Sequence, residues 1–334
     1  MKIIHLCLTN RCNFLCQHCY LDAGKKLDEL HKEEIEKVII ESKELGATHV
    51  HFFGGEPFLR TDLEEICKFC HENNLTFDIA TNAYNIDSKK VIWLKEFRAY
   101  LDINLLGPKD FHDRMTGVNG AFKKAFKAIK LLIKHKIGFE VVTCIMKNNI
   151  DLWLPLAENL VSIGVNRFFL TYFSKIGRGK KRYDLFCTGR DLERLEKIIQ
   201  TFQKKYPKTI VTFEKCLVRP DLLQKDKKTK LSPCLFFNKK YGFLDCNGDV
   251  YPCFLLLRNK RFKLGNIHKS SFKKIWLKWT VEQLQKKRKI SKHCFACKYY
   301  KYCLGGCPAY AQNKQNLDYR CILDNYIPFC PVKC

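Results

Sequence analysis

Three cysteines stand close together near the start of the sequence. They are Cys12, Cys16 and Cys19, with three residues between the first two and two between the last two. Thiolate sulfur is a preferred ligand for zinc and for iron–sulfur clusters. Three thiolates make a poor complete zinc site, which needs four ligands, but they can hold three irons of a [4Fe–4S] cube. The fourth iron is then left without a protein ligand, and an open coordination position is what a catalytic metal needs. A second cysteine group lies far along the chain. Cys234 is followed by thirteen residues, Gly248, four residues and Cys253. Then come Cys294, Cys297, Cys303 and Cys307, separated by two, five and three residues, and Cys321 after a further gap. Taken alone, that run of four reads as a zinc knuckle.

Cysteine makes up 19 of the 334 residues. In a secreted chain this density means disulfides; in a cytosolic one it means metal. The opening residues, MKIIHLCLTNRC, contain no signal-peptide apolar region, and no apolar run approaches the length of a bilayer span. The chain is expected in the cytoplasm, with its cysteines on metal. Hydrophobic residues are 46% and charged residues 28%, a globular composition that excludes disorder. The formal net charge is +26, of which residues 216–334 carry +18 from 25 basic and 7 acidic side chains. Such an excess raises the question of nucleic acid. Clusters held by four thiolates add negative charge that offsets part of it, and the lysine runs at 225–230, 258–263 and 286–289 read as solvated faces. Nucleic-acid binding is therefore not expected.

The elements that must position these residues alternate regularly. Strand-like patterns cover 2–9, 48–53, 76–80, 100–106, 139–146 and 167–172, and helical periods cover 29–45, 62–73, 88–97, 121–135 and 152–163. Six strands alternating with helices predict a parallel α/β sheet with function at the C-terminal strand ends. The first cysteine group follows the first strand directly. The alternation fades after about residue 190. A further helix is expected over 191–206, a polar loop near 225–230, and a hairpin around Asn247, Gly248 and Asp249. The organisation is read as two parts, 1–215 and 216–334. Cys7, Cys67, Cys70 and Cys144 sit in apolar patterns and are read as small core residues. His5, His49 and His51 lie in or beside strands and are read as packing.

The segment 12–20, C-N-F-L-C-Q-H-C-Y, resembles the signature of the radical S-adenosylmethionine (SAM) superfamily. The resemblance implies a partial (β/α)6 TIM-like barrel and a [4Fe–4S] cluster on Cys12, Cys16 and Cys19. The methionine part of SAM would chelate the open iron, and an electron from the cluster would cleave SAM to a 5′-deoxyadenosyl radical that takes a hydrogen atom from substrate. Further motifs in the family's order support it. Gly54, Gly55, Glu56 and Pro57 follow the second strand, where the family binds the SAM amino group. Two glycines let a backbone approach a ligand, and a carboxylate accepts from an ammonium. Thr81, Asn82 and Ala83 resemble the family's Thr-Asn-Gly turn, with Ala in place of Gly. Asn104 stands where the family has a serine on the SAM ribose, and it can still bond a hydroxyl. Leu106 stands for an aspartate and cannot. His112-Asp113-Arg114 and Gly120-Ala121-Phe122 continue the same stretch.

The later seven-cysteine order resembles the SPASM domain of radical SAM enzymes, and with it the resemblance covers most of the chain. It implies two auxiliary [4Fe–4S] clusters, one on Cys294, Cys297, Cys303 and Cys321, the other on Cys234, Cys253 and Cys307. The fourth ligand of the latter is Cys216, Cys246 or none. Cys330 and Cys334 are left as a tail or a supplementary pair. Relatives that mature sulfatases carry an aspartate directly after the cysteine matching Cys253; here Phe254 follows.

The expected function is radical oxidation of a peptide or protein side chain, with the auxiliary clusters as electron acceptors. Such an enzyme needs an external electron donor of the flavodoxin or ferredoxin type. Because the sequence opens on its first strand, substrate recognition is expected from a separate protein or from the basic C-terminal part. A tetrapyrrole or other small-molecule substrate is the alternative. A non-catalytic iron–sulfur or zinc protein on RNA is a further one, disfavoured by the triad and GGEP together.

Overall fold

The computed structural model describes residues 1–213, 239–297, 300 and 305–311. Six strands follow one another in parallel: β1 (Ile3–Thr9), β2 (His49–Gly54), β3 (Thr76–Thr81), β4 (Tyr100–Asn104), β5 (Gly138–Ile145) and β6 (Arg167–Tyr172). Helices connect them: α1 (Lys32–Glu44), α2 (Leu63–Glu72), α3 (Ser88–Glu96), then α4 (Lys109–Thr116) with α5 (Ala121–His135), and α6 (Ile150–Ser162). Each strand pairs in parallel with its sequence neighbour, with the helical crossover that a parallel pair needs. This is the parallel α/β sheet that the alternation predicts, and its strand order agrees with the partial barrel that the resemblance implies.

Alternation within each strand decides which face is core. Ile4, Leu6 and Leu8 on β1, Val50 and Phe52 on β2, Phe77 and Ile79 on β3, and Leu101 and Ile103 on β4 are all almost fully buried in one cluster with the helices. Each such side chain contributes about 1.5–3 kcal/mol by leaving water. Cys67 and Cys70 on α2 belong to that core, as their apolar setting predicts. The intervening residues, His5, His51, Asp78, Asp102 and Glu140, occupy the other face and line the barrel interior.

Two features depart from expectation. Residues 109–116 form α4, where the sequence showed motif residues and no clear period. The parallel sheet also continues past six strands: α7 (Gly189–Lys205) leads into β7 (Ile210–Phe213), which pairs with β6. On the opposite side β8 (Tyr241–Leu244) pairs in parallel with β1, from Ile3 against Tyr241 to Leu6 against Leu244. The C-terminal part thus grows out of the sheet of the barrel. The hairpin expected around Gly248 is present: β8 runs antiparallel to β9 (Asp249–Tyr251), and Gly248 takes φ +83° in the turn. β10 (Gly265–Asn266) completes the sheet beside β9, and short helices α8 (Phe272–Lys278), α9 (Val281–Lys286) and α10 (Lys292–Phe295) follow. No helix among the described residues is long and apolar enough to cross a membrane.

Candidate active site

Cys12, Cys16 and Cys19 lie in the loop that leaves the C-terminal end of β1. The loop is pinned from three sides. Leu15 and Gln17 donate their backbone N–H groups to Thr116 and Met115 at the end of α4, each at 3.0 Å. Asn10 donates its N–H to the Glu29 carboxylate at 3.0 Å. From beyond β6, Arg178 donates its guanidinium to the carbonyls of Cys16, at 2.9 Å, and Ala23, and its own N–H to the carbonyl of Cys19. Gly177 makes this approach possible. Its φ is +58°, and a Cβ there would lie 2.3 Å from the Tyr20 carbonyl oxygen. Arg178 was not singled out in the sequence. Its only signal is a Gly-Arg-Gly-Lys-Lys run after the last barrel strand.

The two glycines of the GGEP segment serve the chain itself. A Cβ on Gly54 would sit 2.4 Å from the Thr9 carbonyl, and one on Gly55 2.0 Å from that of Arg11. Gly55 and Glu56 donate N–H bonds of 2.8 Å to those same carbonyls. Their smallness therefore docks the end of β2 against the root of the cysteine loop. Pro57 opens the short 3₁₀ turn Pro57–Leu59 that follows.

Glu56 is completely buried. Oε1 accepts from the Phe58 N–H at 3.1 Å and the Thr81 hydroxyl at 2.7 Å, and Oε2 accepts from the Asn82 N–H at 2.8 Å. Burial raises its carboxyl, these three bonds oppose the rise, and the result is about 7. A carboxylate has about four lone-pair positions, so one on Oε2 remains for a further donor. Asn82 joins the same corner: its amide donates to the Asn13 side chain at 2.8 Å. Ala83 has φ +58°, which explains why a glycine suits that turn.

Asn104 ends β4 with its Oδ1 buried and without a hydrogen-bond partner among the described residues. Leu106, two residues on, is fully buried with Phe111, Met115, Met146, Phe173 and Leu185. An aspartate would be costly there, which gives a packing reason for the apolar residue. Asp113 is a clamp, accepting 2.8 Å bonds from the N–H groups of Gly120 and Phe122. His112 Nδ1 accepts from the Leu106 N–H at 3.2 Å, and burial pulls the ring down to about 4, so it stays neutral.

The residues present fit the groups that the motif implies. Cys12, Cys16 and Cys19 form no disulfide, so all three sulfurs can serve as cluster ligands. Burial pushes the Cys12 thiol up to about 11 and the Cys16 thiol higher, where Cys19 and Cys12 add to the push. Thiolates at Cys12 and Cys16 therefore need a cationic partner, which iron supplies. The vacant lone pair on Glu56 and the unpartnered Asn104 oxygen suit an ammonium and a hydroxyl donor.

The C-terminal part meets this loop directly. Tyr20 and Phe254 pack edge to face at 5.7 Å, and Arg258 bonds both the buried Asp245, at 2.9 Å, and the Leu21 carbonyl, at 2.5 Å. Cys253, Cys294, Cys297 and Cys307 lie among the described residues, Cys253 buried just before the turn Phe254–Leu256 and Cys294 within α10. Cys234, Cys303 and Cys321, with Cys216, Cys330 and Cys334, lie outside the described residues. Cys246 is beside Cys7 and Asp245, all three buried.

Comparison with known proteins bears on this arrangement. The model described as "Radical SAM superfamily" matches residues 6–168, and that described as "Iron-sulfur cluster-binding domain" (SPASM) matches residues 234–298. An AdoMet-dependent heme synthase of Oleidesulfovibrio alaskensis is 24% identical over 322 residues, covering 90% of this chain and 81% of its own length. The subtilosin biosynthesis protein AlbA of Bacillus subtilis is 25% identical over 308 residues, covering 90% of this chain and 65% of its own. Streptococcus suis SuiB bound to precursor peptide SuiA shares the fold, with a TM-score of 0.80 and 18% identity over 99% of this chain and 76% of that one.

Proposed function

This chain belongs to the radical SAM superfamily and carries a SPASM domain, and from that premise we propose that it oxidises a side chain of a peptide or protein. It is a radical SAM enzyme that binds SAM and [4Fe–4S] iron–sulfur centres. When bound, the cluster and SAM supply a 5′-deoxyadenosyl radical that removes a hydrogen atom from substrate. The chain's own residues do the rest. Cys12, Cys16 and Cys19 hold the cluster, and Arg178 fixes the carbonyls of their loop. Glu56 orients the SAM ammonium, the Gly54–Pro57 and Asn82 corner holds it in place, and Asn104 takes a ribose hydroxyl.

A substrate that has lost a hydrogen atom completes a two-electron oxidation by giving up one more electron and a proton. We take residues 1–215 as the catalytic part and 216–334 as the electron exit, with two auxiliary [4Fe–4S] clusters. One uses Cys294, Cys297, Cys303 and Cys321, the other Cys234, Cys253 and Cys307. The seam at Tyr20–Phe254 and Arg258–Leu21 supports short transfer from the catalytic loop to that part. A flavodoxin- or ferredoxin-type protein supplies the first electron, and a separate protein or the basic C-terminal part recognises the substrate.

The observation that carries the peptide reading is the barrel lining. His5, His51, Asp78 and Asp102 form a polar layer there, with Glu140 beside Asp102 in register. Such a layer suits a chain of amides, whereas the flat apolar face of a macrocycle wants an apolar pocket. SuiB is bound to the precursor peptide SuiA, and AlbA belongs to biosynthesis of the bacteriocin subtilosin, which agrees. A tetrapyrrole substrate is the second reading, favoured by the match to the heme synthase. The test is release of 5′-deoxyadenosine by the reduced enzyme with each candidate. Stimulation by a peptide and none by iron coproporphyrin III is expected; the reverse would refute the peptide reading.

A further inference from the structure

The middle of the barrel holds a group of ligand-type side chains that the catalytic loop does not use. His5 on β1 stands in register with His51 on β2, and His51 with Asp78 on β3. Asp102 on β4 follows, in register with Glu140 on β5. Barrel interiors are usually filled with branched apolar residues, so a layer of this kind needs an explanation. His51 Nδ1 lies 2.5 Å from Asp78 Oδ2 and 3.9 Å from Asp102 Oδ2, and the three ligand atoms all fall within 4.8 Å of one another. They face accessible space: the side chains of His51, Asp78 and Asp102 are 22%, 12% and 16% exposed.

Two further observations point to a bound ion. His49 bonds the other oxygen of Asp78 through Nε2 and is itself held by Thr76 Oγ1 at 2.8 Å through Nδ1. That is the outer support that orients a metal-binding carboxylate. The His5 ring lies 4.9 Å from the His51 ring, stacked at 4.3 Å on Phe243, and its Nε2 is buried with no hydrogen-bond partner among the described residues. Two carboxylates and an imidazole that converge in this way are a donor set for a dication.

We propose that this layer binds one divalent transition-metal ion through His51 Nδ1, Asp78 Oδ2 and Asp102 Oδ2. Imidazole with carboxylate suits Mn(II), Fe(II) or Zn(II) better than Ca(II). Bonds of about 2.0–2.2 Å place neighbouring donors about 3–4 Å apart. The His51–Asp102 spacing already meets this, and the His51–Asp78 pair, at 2.5 Å, would have to open to admit the ion. The ion would lie apart from the cysteine triad, with open positions facing the lumen for an oxygen of the substrate.

Manganese is the probe, because free Mn(II) is counted by its spin resonance signal without interference from counting iron. Titration of the cluster-loaded enzyme should reveal about one bound Mn(II) per chain, displaced by zinc. Electron spin echo of the bound ion should carry the modulation of imidazole nitrogen. Asp102→Asn and His51→Gln should each weaken binding at least tenfold while keeping wild-type iron content. Absence of saturable binding by the wild type overturns the proposal whether or not the variants fold. So does bound Mn(II) without nitrogen modulation, or variant titrations that superimpose on the wild type.

Discussion

Replacing Glu56 by Gln isolates the role of the GGEP carboxylate, because the side chain keeps its size and loses its charge. In the structure Glu56 is fully buried and accepts three hydrogen bonds, leaving one lone pair for the SAM ammonium. A hydrogen bond to a charged group contributes about 1.5–3 kcal/mol, so SAM affinity should fall by about 10- to 150-fold. The amide also turns N–H donors toward the Asn82 N–H, or toward Thr81 and Phe58 if it flips, so the loss should lie at the upper end. The pH dependence is a sharper test. Burial raises Glu56 to about 7. Below that value the free protein holds the neutral acid, which must lose its proton to meet an ammonium. SAM affinity of the wild type should therefore decline toward about tenfold per unit as pH falls below 7, and level off above it. Glu56→Gln should show a flat, weak profile. Calorimetric titration of cluster-loaded protein at pH 6, 7 and 8 measures both. A variant that binds SAM as tightly as wild type, with the same pH profile, would refute the assignment.

Other outcomes follow from the same geometry. Anaerobic reconstitution should load about twelve irons, and replacing Cys12, Cys16 and Cys19 together by Ala should leave about eight. Cys16→Ala should abolish SAM cleavage, whereas Cys303→Ala should retain some cleavage and lose product; chromatography of 5′-deoxyadenosine and product reads both. Gly177→Ala forces a methyl to 2.3 Å from the Tyr20 carbonyl at φ +58°, so iron content and SAM cleavage should both drop several-fold, by mass spectrometry of iron and product assay. Phe254 packs on Tyr20 and offers no proton acceptor, so a sulfatase-derived Cys or Ser peptide should give no formylglycine by mass.

Much of this was legible in the sequence because local signals agreed with the global fold. Strand and helix periods located β1 to β6 and their helices, and short spacings located Cys12, Cys16 and Cys19. What was not legible is what depends on contacts between distant residues. β7 is a strand of four residues, half of it exposed, and carries little pattern. The pairing of β8 with β1 joins residues more than two hundred positions apart, which no periodicity encodes. Arg178 reaches Cys16 and Ala23 only after six strands have closed around the loop. The close approach of the GGEP glycines to the backbone of Thr9 and Arg11 is likewise visible only in the folded chain. His5, His49 and His51 read singly as packing. Their convergence on Asp78 and one another becomes visible only once β1, β2 and β3 are in register.

The most direct test of peptide oxidation is the mass of the product. The reduced enzyme is incubated with SAM and a candidate peptide encoded near its gene. Peptide and 5′-deoxyadenosine are then quantified together. A peptide lighter by two hydrogens, formed in equal amount with 5′-deoxyadenosine, is the predicted result. Carbon dioxide released from a porphyrin with the peptide unchanged, or a peptide heavier by a methyl group taken from SAM, would contradict it.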